Sequence, residues 1–339
     1  MTSTMKDVAK RAGVSISTVS HVLNNTRFVS EALRSKVEHA IEGLAYQPNP
    51  LGRGLRKGKS FTIALVLPDH GNPFFVQAAR GAQELVRQQN YSLITCNTDE
   101  ELDQEAFYIS SLLQRKVDGF IIAPTQGGSG NLQPLVETQT PFVVIDRYVD
   151  GIPADQVVSD NRTGGYQATE HLIQLGHKRI GLLVGIPLLT PIIDRTEGYR
   201  QALQANGMEV DENLLSEGCS QIEEGYLAME SLLAINGLTA VFSTNNMMSL
   251  GVLRCLKDKR IRCPEEISLV GFDDAEWATS ISPSLTVVAQ QPYEMGFIAA
   301  ELLFAAIESK NDKAKPRTIR LETSLISRES TAKPLNSGR

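Results

Sequence analysis

The sequence predicts an α/β protein, with a core of parallel β-sheets flanked by helices that follows a small unit made only of helices. After residue 60, short β-rich segments alternate with amphipathic helical segments, which is typical of parallel sheets wound by helices. Roughly ten strands would be many for one open sheet. We therefore expect the core to have two lobes.

The expected elements of the core follow from hydrophobic periodicity. The expected strands are 61–67, 91–96, 119–123, 142–145, 179–184, 240–242, 267–272 and 285–288. The expected helices lie near 74–89, 103–115, 163–175, 194–206, 224–235, 246–258 and 293–308. Ligands of such folds bind beyond the carboxyl ends of the strands, so the polar residues that follow strands are the ones to inspect.

Length and composition restrict the class of protein. The chain has 339 residues, with 42% hydrophobic and 21% charged residues, which fits two or three globular domains. No stretch approaches the roughly 20 apolar residues of a membrane span, and the N-terminus is polar, so we expect a cytoplasmic protein. The cysteines lack close pairing, so we expect reduced, buried thiols and neither a metal nor a cofactor: Cys96, Cys219, Cys255 and Cys263.

Charge is distributed unevenly along the chain. Residues 1–60 contain ten Lys or Arg and four Asp or Glu, so this segment has a charge of +6. The rest of the chain has a charge of −12, which gives the net charge of −6. A basic head on an acidic body is the electrostatic pattern of a nucleic-acid-binding protein. Basic N-termini that are merely solvated give the same pattern.

The first 44 residues read as three helices. Thr4 is placed to cap the first, with Asp7 three residues later as an acidic form of the capping box, and Gly13 ends it. Ser15 is placed to cap a second helix of about two turns, and Ser30 begins a third. Apolar residues at helical spacing in each predict one small shared core.

A glycine turn between two short helices is also the pattern of a helix-turn-helix motif. The second helix exposes Ile16, Ser17, Ser20 and His21. Ser17 and His21 could reach base edges in the major groove while Ile16 meets a thymine methyl, and Thr18 and Asn24 could hold phosphates. Any three-helix bundle with capped helices would show the same spacing.

A linker rich in proline and glycine follows at 47–60. Leu51 and Leu55 would share one face if this segment became helical. Gly52 and Gly54 each cost about 1 kcal/mol in a helix. We expect the linker to be disordered alone and helical only with help.

Several motifs resemble the LacI/GalR family of lactose- and purine-repressor-like regulators. In the first unit these are Met5-Lys6-Asp7-Val8-Ala9-Lys10-Arg11-Ala12-Gly13-Val14-Ser15, Ser17-Thr18-Val19-Ser20-His21-Val22-Leu23-Asn24 and Gly43-Leu44-Ala45-Tyr46-Gln47-Pro48-Asn49. Further along they are Lys116-Val117-Asp118-Gly119, Gly198-Tyr199, Val270-Gly271-Phe272-Asp273-Asp274 and Tyr293-Glu294-Met295-Gly296. The similarity extends to about residue 328.

The resemblance implies a homodimeric repressor that binds a pseudo-palindromic operator, with a two-lobed core like that of periplasmic binding proteins. It implies a helix-turn-helix headpiece at 1–46, a hinge at 47–60, a core at 61–330 and a tail at 331–339. Lobe 1 would take about 61–160 and 291–320, and lobe 2 about 161–290 and 321–330. Ile16, Ser17 and His21 match base-contacting positions, and Leu55 matches the apolar wedge that enters the minor groove.

Six loops after predicted strands carry groups that suit a sugar, which needs aromatic faces and buried partners for its hydroxyls. These residues are Asn72, Phe74, Phe75, Asp146, Arg147, Arg195, Asn245, Asp273 and Gln290. Taken singly, an Asp-Arg pair is more often a structural ion pair and paired phenylalanines are more often core. All six loops also match sugar-binding positions of ribose-type proteins.

The resemblance therefore implies a small-sugar effector, a ribose-like pentose or hexose, and two arginines leave a sugar acid open. Ser220 and Gln221 stand where ribose-type sites often have a further aromatic residue. Trp277 is a candidate to supply an aromatic side chain in its place. Whether the sugar induces or corepresses is left open.

Other functions are weighed against this one. A catabolite-control regulator modulated by a phosphocarrier protein is the main alternative. An enzyme is disfavoured because no Walker loop, HExxH, GxSxG or dinucleotide motif occurs, and Gly127-Gly128-Ser129-Gly130 reads as a loop. A transport protein would need an export signal. The tail from Ser327 lacks heptad leucines, so we expect a dimer without a tetramerising coiled coil.

Overall fold

The structure is a computed structural model that describes residues 3–24, 27–46, 59–309 and 315–335. By its internal contacts the chain divides into two compact units, Met1–Ser60 and Phe61–Arg339. None of the helices within the described ranges is long and apolar enough to cross a membrane.

The described residues of the first unit form three helices: α1 (Met5–Ala12), α2 (Ile16–Asn24) and α3 (Glu31–Gly43). The predicted capping box is confirmed, because Thr4 accepts from the Asp7 amide and Asp7 accepts from the Thr4 amide. Gly13 ends α1 with φ of 67°, a left-handed conformation that glycine adopts without cost. Ser15 Oγ accepts from the Thr18 amide at 3.1 Å, while Ser30 begins α3 without a side-chain cap.

One small core joins these helices. Its fully buried members include Val8 of α1, Val19 of α2 and Val37 of α3. The apolar stripe predicted for α2 therefore faces inward. The predicted hinge residues Leu51 and Leu55 lie outside the described residues, so the hinge stays a prediction.

The second unit has two lobes, each built on a six-stranded sheet. Lobe 1 contains, in the order in which they pair, β11 (Thr318–Leu321), β5 (Asp155–Ser159), β4 (Phe142–Ile145), β3 (Gly119–Ile122), β1 (Thr62–Leu67) and β2 (Ser92–Asn97). Every pair in this sheet is parallel. Alternate residues of β1 pack into separate cores on the two faces, which explains its continuous apolar run.

Lobe 2 repeats this arrangement. Its sheet contains, in order of pairing, β12 (Ser324–Ile326), β10 (Thr286–Ala289), β9 (Ser268–Phe272), β8 (Ala240–Ser243), β6 (Ile180–Val184) and β7 (Leu215–Glu217). All pairs are parallel except β10 with β12. The chain passes between the lobes three times, after β5, after β10 and after β11.

Helices cover both faces of each sheet. Lobe 1 has α4 (Pro73–Gln88), α5 (Leu102–Gln114), α6 (Gln133–Glu137) and α12 (Pro292–Glu308). Lobe 2 has α7 (Asn161–Gln174), α8 (Thr190–Ala205), α9 (Ile222–Leu233), α10 (Asn246–Asp258) and α11 (Trp277–Ser280). Short 3-10 turns occupy Gly128–Leu132 and Glu212–Leu214.

Three helix pairs cross at facing glycines. A Cβ added to Gly296 of α12 would lie 1.8 Å from the Ala78 carbonyl oxygen of α4. One added to Gly198 of α8 would lie 2.2 Å from the Arg162 oxygen of α7, and one added to Gly251 of α10 would lie 2.1 Å from the Ile222 oxygen of α9. Only glycine allows the backbones to approach this closely, which gives Gly198 and Gly296 of the quoted motifs a packing role.

The end of the described chain is held on lobe 2. Ser330 Oγ donates to the Leu269 carbonyl at 2.6 Å, and its own carbonyl accepts from the Leu269 amide at 2.8 Å. The Ala332 carbonyl contacts His177 Nε2 at 2.9 Å. The described part of the predicted tail is therefore bound rather than loose.

The elements differ from the prediction in four strands, in the start of one helix, and in two helices of five and four residues, α6 and α11, which are too short to show a helical period. Strands β5, β7, β11 and β12 were missed, since three of them are short, half-exposed strands without a continuous apolar run. Helix α8 begins at Thr190, not near 194, and Pro191 occupies its first turn. The expectation that the cysteines are buried is wrong for Cys219, which is exposed.

We expect Gly296→Ala to lower the melting temperature measurably, because the added methyl forces α4 and α12 apart at a cost of about 1–3 kcal/mol. Gly130→Ala is the matched control, since its Cβ would meet no atom within 4 Å. Thermal denaturation followed by circular dichroism measures both. Equal melting temperatures for the two variants would contradict the packing role.

Candidate functional site

The first candidate site is the exposed face of α2. Ile16 is 43% exposed and Ser17 is also exposed, whereas Thr18, Ser20 and His21 are half-buried. Ser15 Oγ lies 2.7 Å from Ser17 Oγ and 2.8 Å from Thr18 Oγ1, which ties these hydroxyls to the helix start. The backbone of Asn24 ends α2, and its side chain lies outside what the structure describes. Small polar groups on a helix with its apolar side buried suit insertion into a major groove.

The second candidate site is a cavity of about 70 Å³ between the two lobes, which we call the inner cavity. Its lining includes all nine residues predicted for the effector: Asn72, Phe74, Phe75, Asp146, Arg147, Arg195, Asn245, Asp273 and Gln290. Most of them follow the carboxyl ends of β1, β4, β8, β9 and β10, as expected for parallel sheets. Ser220 and Gln221 also line it.

Arg147 is held by groups of its own lobe. Its guanidinium donates to both carboxylate oxygens of Glu100 and to the Pro124 carbonyl. Its Nε lies 3.6 Å from an Asp146 carboxylate oxygen and is buried without a hydrogen bond. Arg147 is only 6% exposed, and these contacts already use most of the hydrogen-bond donors of its guanidinium.

Arg195 is likewise held in place. Its Nε donates to Asn161 Oδ1 at 2.8 Å and its Nη1 to the Thr244 carbonyl at 2.6 Å. The guanidinium carbon lies 3.6 Å from the centre of the Phe272 ring, a cation–π contact. Burial lowers the pKa of Arg195, although Asp273 and Asp146 oppose this.

Two buried carboxylates face this pair of arginines. Burial raises the pKa of Asp146 to about 6, and the Arg147 and Arg195 charges only partly offset it. Burial also raises the pKa of Asp273, against the influence of Arg195 and a hydrogen bond from Gln290. Both aspartates have left-handed backbones, with φ of 65° and 74°. Asp tolerates this region better than most residues, so the strand ends can turn their carboxylates into the cavity.

Side-chain amides complete the polar lining. Asn245 Oδ1 accepts from the Met248 amide at 2.8 Å, which caps α10, while its Nδ2 donates to the Ser220 carbonyl at 3.0 Å. Asn72 Oδ1 accepts from the Phe74 amide and also, at 2.9 Å, from Asn246 Nδ2 of the other lobe. The Asn72–Asn246 bond therefore links the lobes beside the cavity.

The aromatic wall is formed by Phe74 and Phe75, whose rings meet edge to face at 5.1 Å. Both are 6% exposed and belong to the core of lobe 1 as well as to the cavity lining. The pair therefore belongs to the core and also lines the cavity, and its contact with a ligand stays a prediction. Trp277 does not line the inner cavity. It lines a neighbouring groove of about 690 Å³.

Two known protein families resemble this chain, each over a different part of it. A family model described as "Bacterial regulatory proteins, lacI family" matches residues 4–49. A second, "Periplasmic binding proteins and sugar binding domain of LacI family", matches residues 60–329. The chain belongs to the LacI family. The resemblance deduced from the motifs is thereby confirmed, as is the fold of a two-lobed periplasmic-binding-protein-like core behind a helix-turn-helix headpiece.

Relatives of this LacI-family chain are transcriptional regulators rather than enzymes. The regulator DegA of Bacillus subtilis is 36% identical over 340 residues, covering 99% of this chain and all of DegA. The lac repressor dimer bound to operator and the anti-inducer ONPF is 26% identical, with a TM-score of 0.87 over 98% of this chain and 100% of that one. An Enterococcus faecium LacI family regulator with bound ribose is 31% identical, with a TM-score of 0.74 over 80% of this chain and 99% of that one.

Three polar residues that hold the cavity lining in place were not among the predicted site residues. Glu100 pairs with Arg147, Asn161 accepts from Arg195, and Asn246 joins the lobes. Glu100 follows β2, so the rule of inspecting polar residues after strands would have found it had that loop been included. Nothing local marks Asn246, whose partner Asn72 lies 174 residues away.

The raised pKa of Asp146 has a consequence for stability. Between its ordinary value of 3.8 and about 6, the folded protein keeps a proton that the unfolded chain has lost, so Asp146 lowers stability as pH rises through this window. Asp146→Asn removes that titration. We expect the melting temperature of Asp146→Asn minus that of the wild type to increase from pH 4 to pH 6.

Exposed Glu209 provides the control variant, Glu209→Gln, for which this difference should stay flat across the same pH range. Calorimetric melts at half-unit pH steps measure both. A flat profile for Asp146→Asn as well would show that Asp146 is ionised in the folded protein throughout.

Proposed function

We propose that this LacI-family regulator is a repressor that binds operator DNA as a homodimer through α2, and that a small uncharged sugar in the inner cavity changes its operator affinity. The observation that carries this proposal is the convergence of two carboxylates, two arginines, amides and an aromatic wall on one cavity between the lobes. The lac repressor dimer on its operator and the ribose-bound regulator support the two halves of the proposal.

The charges of the lining favour an uncharged sugar over a sugar acid. Asp69, Glu100, Asp146 and Asp273 bring four acidic groups to the lining, against two arginines. Both arginines already donate to protein groups, Arg147 to Glu100 and Arg195 to Asn161. A ligand carboxylate would compete with these partners and would face the other acids. Hydroxyls can instead donate to the carboxylates and accept from the amides without adding charge.

The cavity lies where a ligand can act on both lobes. Asn72 and Asn246 join them on one side, and the Tyr148 amide donates to Thr190 Oγ1 at 2.8 Å on another. A sugar that contacts residues of both lobes stabilises the arrangement in which those contacts form. The sugar can therefore shift an equilibrium between two arrangements of the lobes, and operator DNA that binds one arrangement more tightly shifts the same equilibrium. The sign of the response is a matter for experiment.

Such coupling must be reciprocal. With a duplex selected from a random pool, we expect a binding sugar to change DNA affinity about 5- to 150-fold, and saturating duplex to change sugar affinity by the same factor. A thermal-shift screen of pentoses, hexoses and aldonates identifies the sugar, and titration calorimetry measures both affinities. Sugar affinity that is the same with and without the duplex would contradict the proposal.

Asp273→Asn should weaken sugar binding by roughly 10- to 150-fold, because a charged hydrogen-bond acceptor is lost, while DNA affinity without sugar stays unchanged. Asp274→Asn is the matched control, since the Asp274 carboxylate is paired with Arg328 at 2.8 Å and does not line the inner cavity. Isothermal titration with the sugar found by the screen measures both variants. Equal loss in both would show that the effect is not specific to the cavity.

The recognition surface has its own test. We expect Ile16→Ala and Ser17→Ala each to weaken binding to the selected duplex by roughly 5- to 150-fold while leaving binding to random duplex nearly unchanged, because base contacts specify and phosphate contacts only position. Ser35→Ala on the exposed face of α3 is the control. Fluorescence anisotropy at fixed salt measures the two affinities. A parallel loss on both duplexes would remove α2 from sequence recognition.

A further inference from the structure

A buried hydrogen bond joins side chains of the two lobes, and we call it the amide latch. Asn246 Nδ2 of lobe 2 donates to Asn72 Oδ1 of lobe 1 at 2.9 Å, and the two residues are 1% and 8% exposed. The bond between the Tyr148 amide and Thr190 also joins the lobes, but it is exposed to solvent. A hydrogen bond away from water is electrostatically stronger than one that water can replace. The amide latch is therefore the more costly of the two bonds to break.

The side chain of Asn246 finds its partner across the cleft and not in its own lobe. Among the residues that the structure describes, its Nδ2 bonds Asn72, and its Oδ1 is buried without a hydrogen bond. Burying an amide whose oxygen has no partner costs free energy, which packing within lobe 2 does not recover. The contact with lobe 1 therefore explains why an amide occupies this position.

The partner of Asn246 belongs to the lining of the inner cavity. Asn72 Oδ1 also accepts from the Phe74 amide and so caps α4. Asn246 does not line the inner cavity, but it does line the neighbouring groove of about 690 Å³. The amide latch therefore stands between the cavity and the groove. A ligand in the inner cavity can contact Asn72 without touching the Asn246 side chain.

The amide latch lies away from the three passages of the chain between the lobes. These passages adjoin β5 and β11 in lobe 1 and β10 and β12 in lobe 2, whereas Asn72 follows β1 and Asn246 follows β8. In the sheet order β1 is three strands from β5, and neighbouring strands lie about 4.8 Å apart, so Asn72 is roughly 14 Å from the nearest passage. A rotation of about 15° around the passages would move Asn72 by roughly 4 Å, which is enough to break a hydrogen bond. Rotation of one lobe against the other therefore makes or breaks the amide latch.

We propose that Asn246 is a positioning residue which, through the amide latch, determines how the lobes are balanced between the described arrangement and one in which they have rotated apart. This rests on the proposed sugar-binding function. The sugar and the latch favour the same arrangement, because each of them joins lobe 1 to lobe 2. Asn246 thereby changes the affinity for sugar and for operator DNA without contacting either. Loss of the latch acts on DNA binding in the direction opposite to the sugar.

Asn246→Ala tests this in the full-length protein, with the sugar found by the screen and the selected duplex. We expect sugar affinity to fall by about 2- to 13-fold, the effect of one hydrogen bond. DNA affinity without sugar should change by about twofold or more, opposite in direction to the change that sugar causes in the wild type. Saturating sugar should restore DNA affinity to within about twofold of the sugar-saturated wild type, because the sugar restores the described arrangement. Titration calorimetry and fluorescence anisotropy measure these affinities.

Asn131→Ala is the matched control. It also removes an amide hydrogen bond of 2.9 Å, to Glu105, but this bond lies within lobe 1. We expect the variant to melt at a lower temperature, because the buried Glu105 carboxylate loses a donor, and to keep both affinities within about twofold of the wild type. A general loss of stability is thereby separated from a change in the balance of the lobes.

Asn72→Asp strengthens the amide latch instead of removing it. A carboxylate at this position can accept from the Phe74 amide as before, and its bond from Asn246 Nδ2 becomes charge-assisted. Because Asn72 lines the inner cavity, DNA affinity without sugar is the quantity to measure. We expect it to change by about twofold or more in the same direction as sugar changes it in the wild type. Asn72→Asp combined with Asn246→Ala carries the same charge but lacks the donor, and it should not show this change.

Three outcomes would overturn the inference. These are wild-type sugar affinity in Asn246→Ala, a loss of sugar affinity in that variant with no change in DNA affinity, and an effect of Asn72→Asp that is equally large with and without Asn246. In each case sugar still binds the wild type, so the proposed function stands. If no sugar binds the wild type, the proposed function is overturned and this inference fails with it.

Discussion

Close packing of helix backbones at facing glycines is the constraint on which the geometry of the inner cavity depends. Where α7 crosses α8, a Cβ on Gly165 would lie 2.2 Å from the Arg195 carbonyl oxygen. This approach brings Arg195 of α8 beside Asn161 at the start of α7, where the two side chains bond. In lobe 1, the crossing of α4 with α12 brings the helix that carries Phe74 against the one that follows Gln290. The positions of these cavity residues therefore depend on glycines in the helix crossings, which lie outside the cavity lining.

The charged groups of the inner cavity illustrate how burial and pairing oppose each other. Desolvation raises the pKa of Asp146 and Asp273 and lowers that of Arg195, so each charge is tolerated only because the others are near. Burying such a set of charges costs desolvation free energy, and removing one charge leaves its partners unpaired. A ligand that supplies hydroxyls in the right positions satisfies the carboxylates without changing the balance of charge, and it can therefore bind without rearranging the ion pairs.

Local sequence signals identified the fold and nine residues that the structure brings together in the lining of one cavity. Capping residues marked the starts of α1 and α2, apolar runs marked the central strands, and polar residues after strands marked the lining of one cavity. These signals are readable because each depends on neighbouring residues in the chain. Glu100 and Asn161 each follow a strand, but their pairing with Arg147 and Arg195 joins residues 47 and 34 positions apart, and no local pattern encodes that pairing. Short edge strands such as β11 and β12 lack an apolar run and were missed for the same kind of reason.

The threefold passage of the chain between the lobes also bears on synthesis. Lobe 1 receives α12 and β11 only after every strand of lobe 2 except β12 has been made, and lobe 2 receives β12 last. On the ribosome, therefore, the nascent polypeptide cannot close either sheet until residues beyond Leu321 have left the exit tunnel. Until then the open flanks of β5 and β10 have no partner strand, whereas the described helices of the headpiece, α1 to α3, all precede this point.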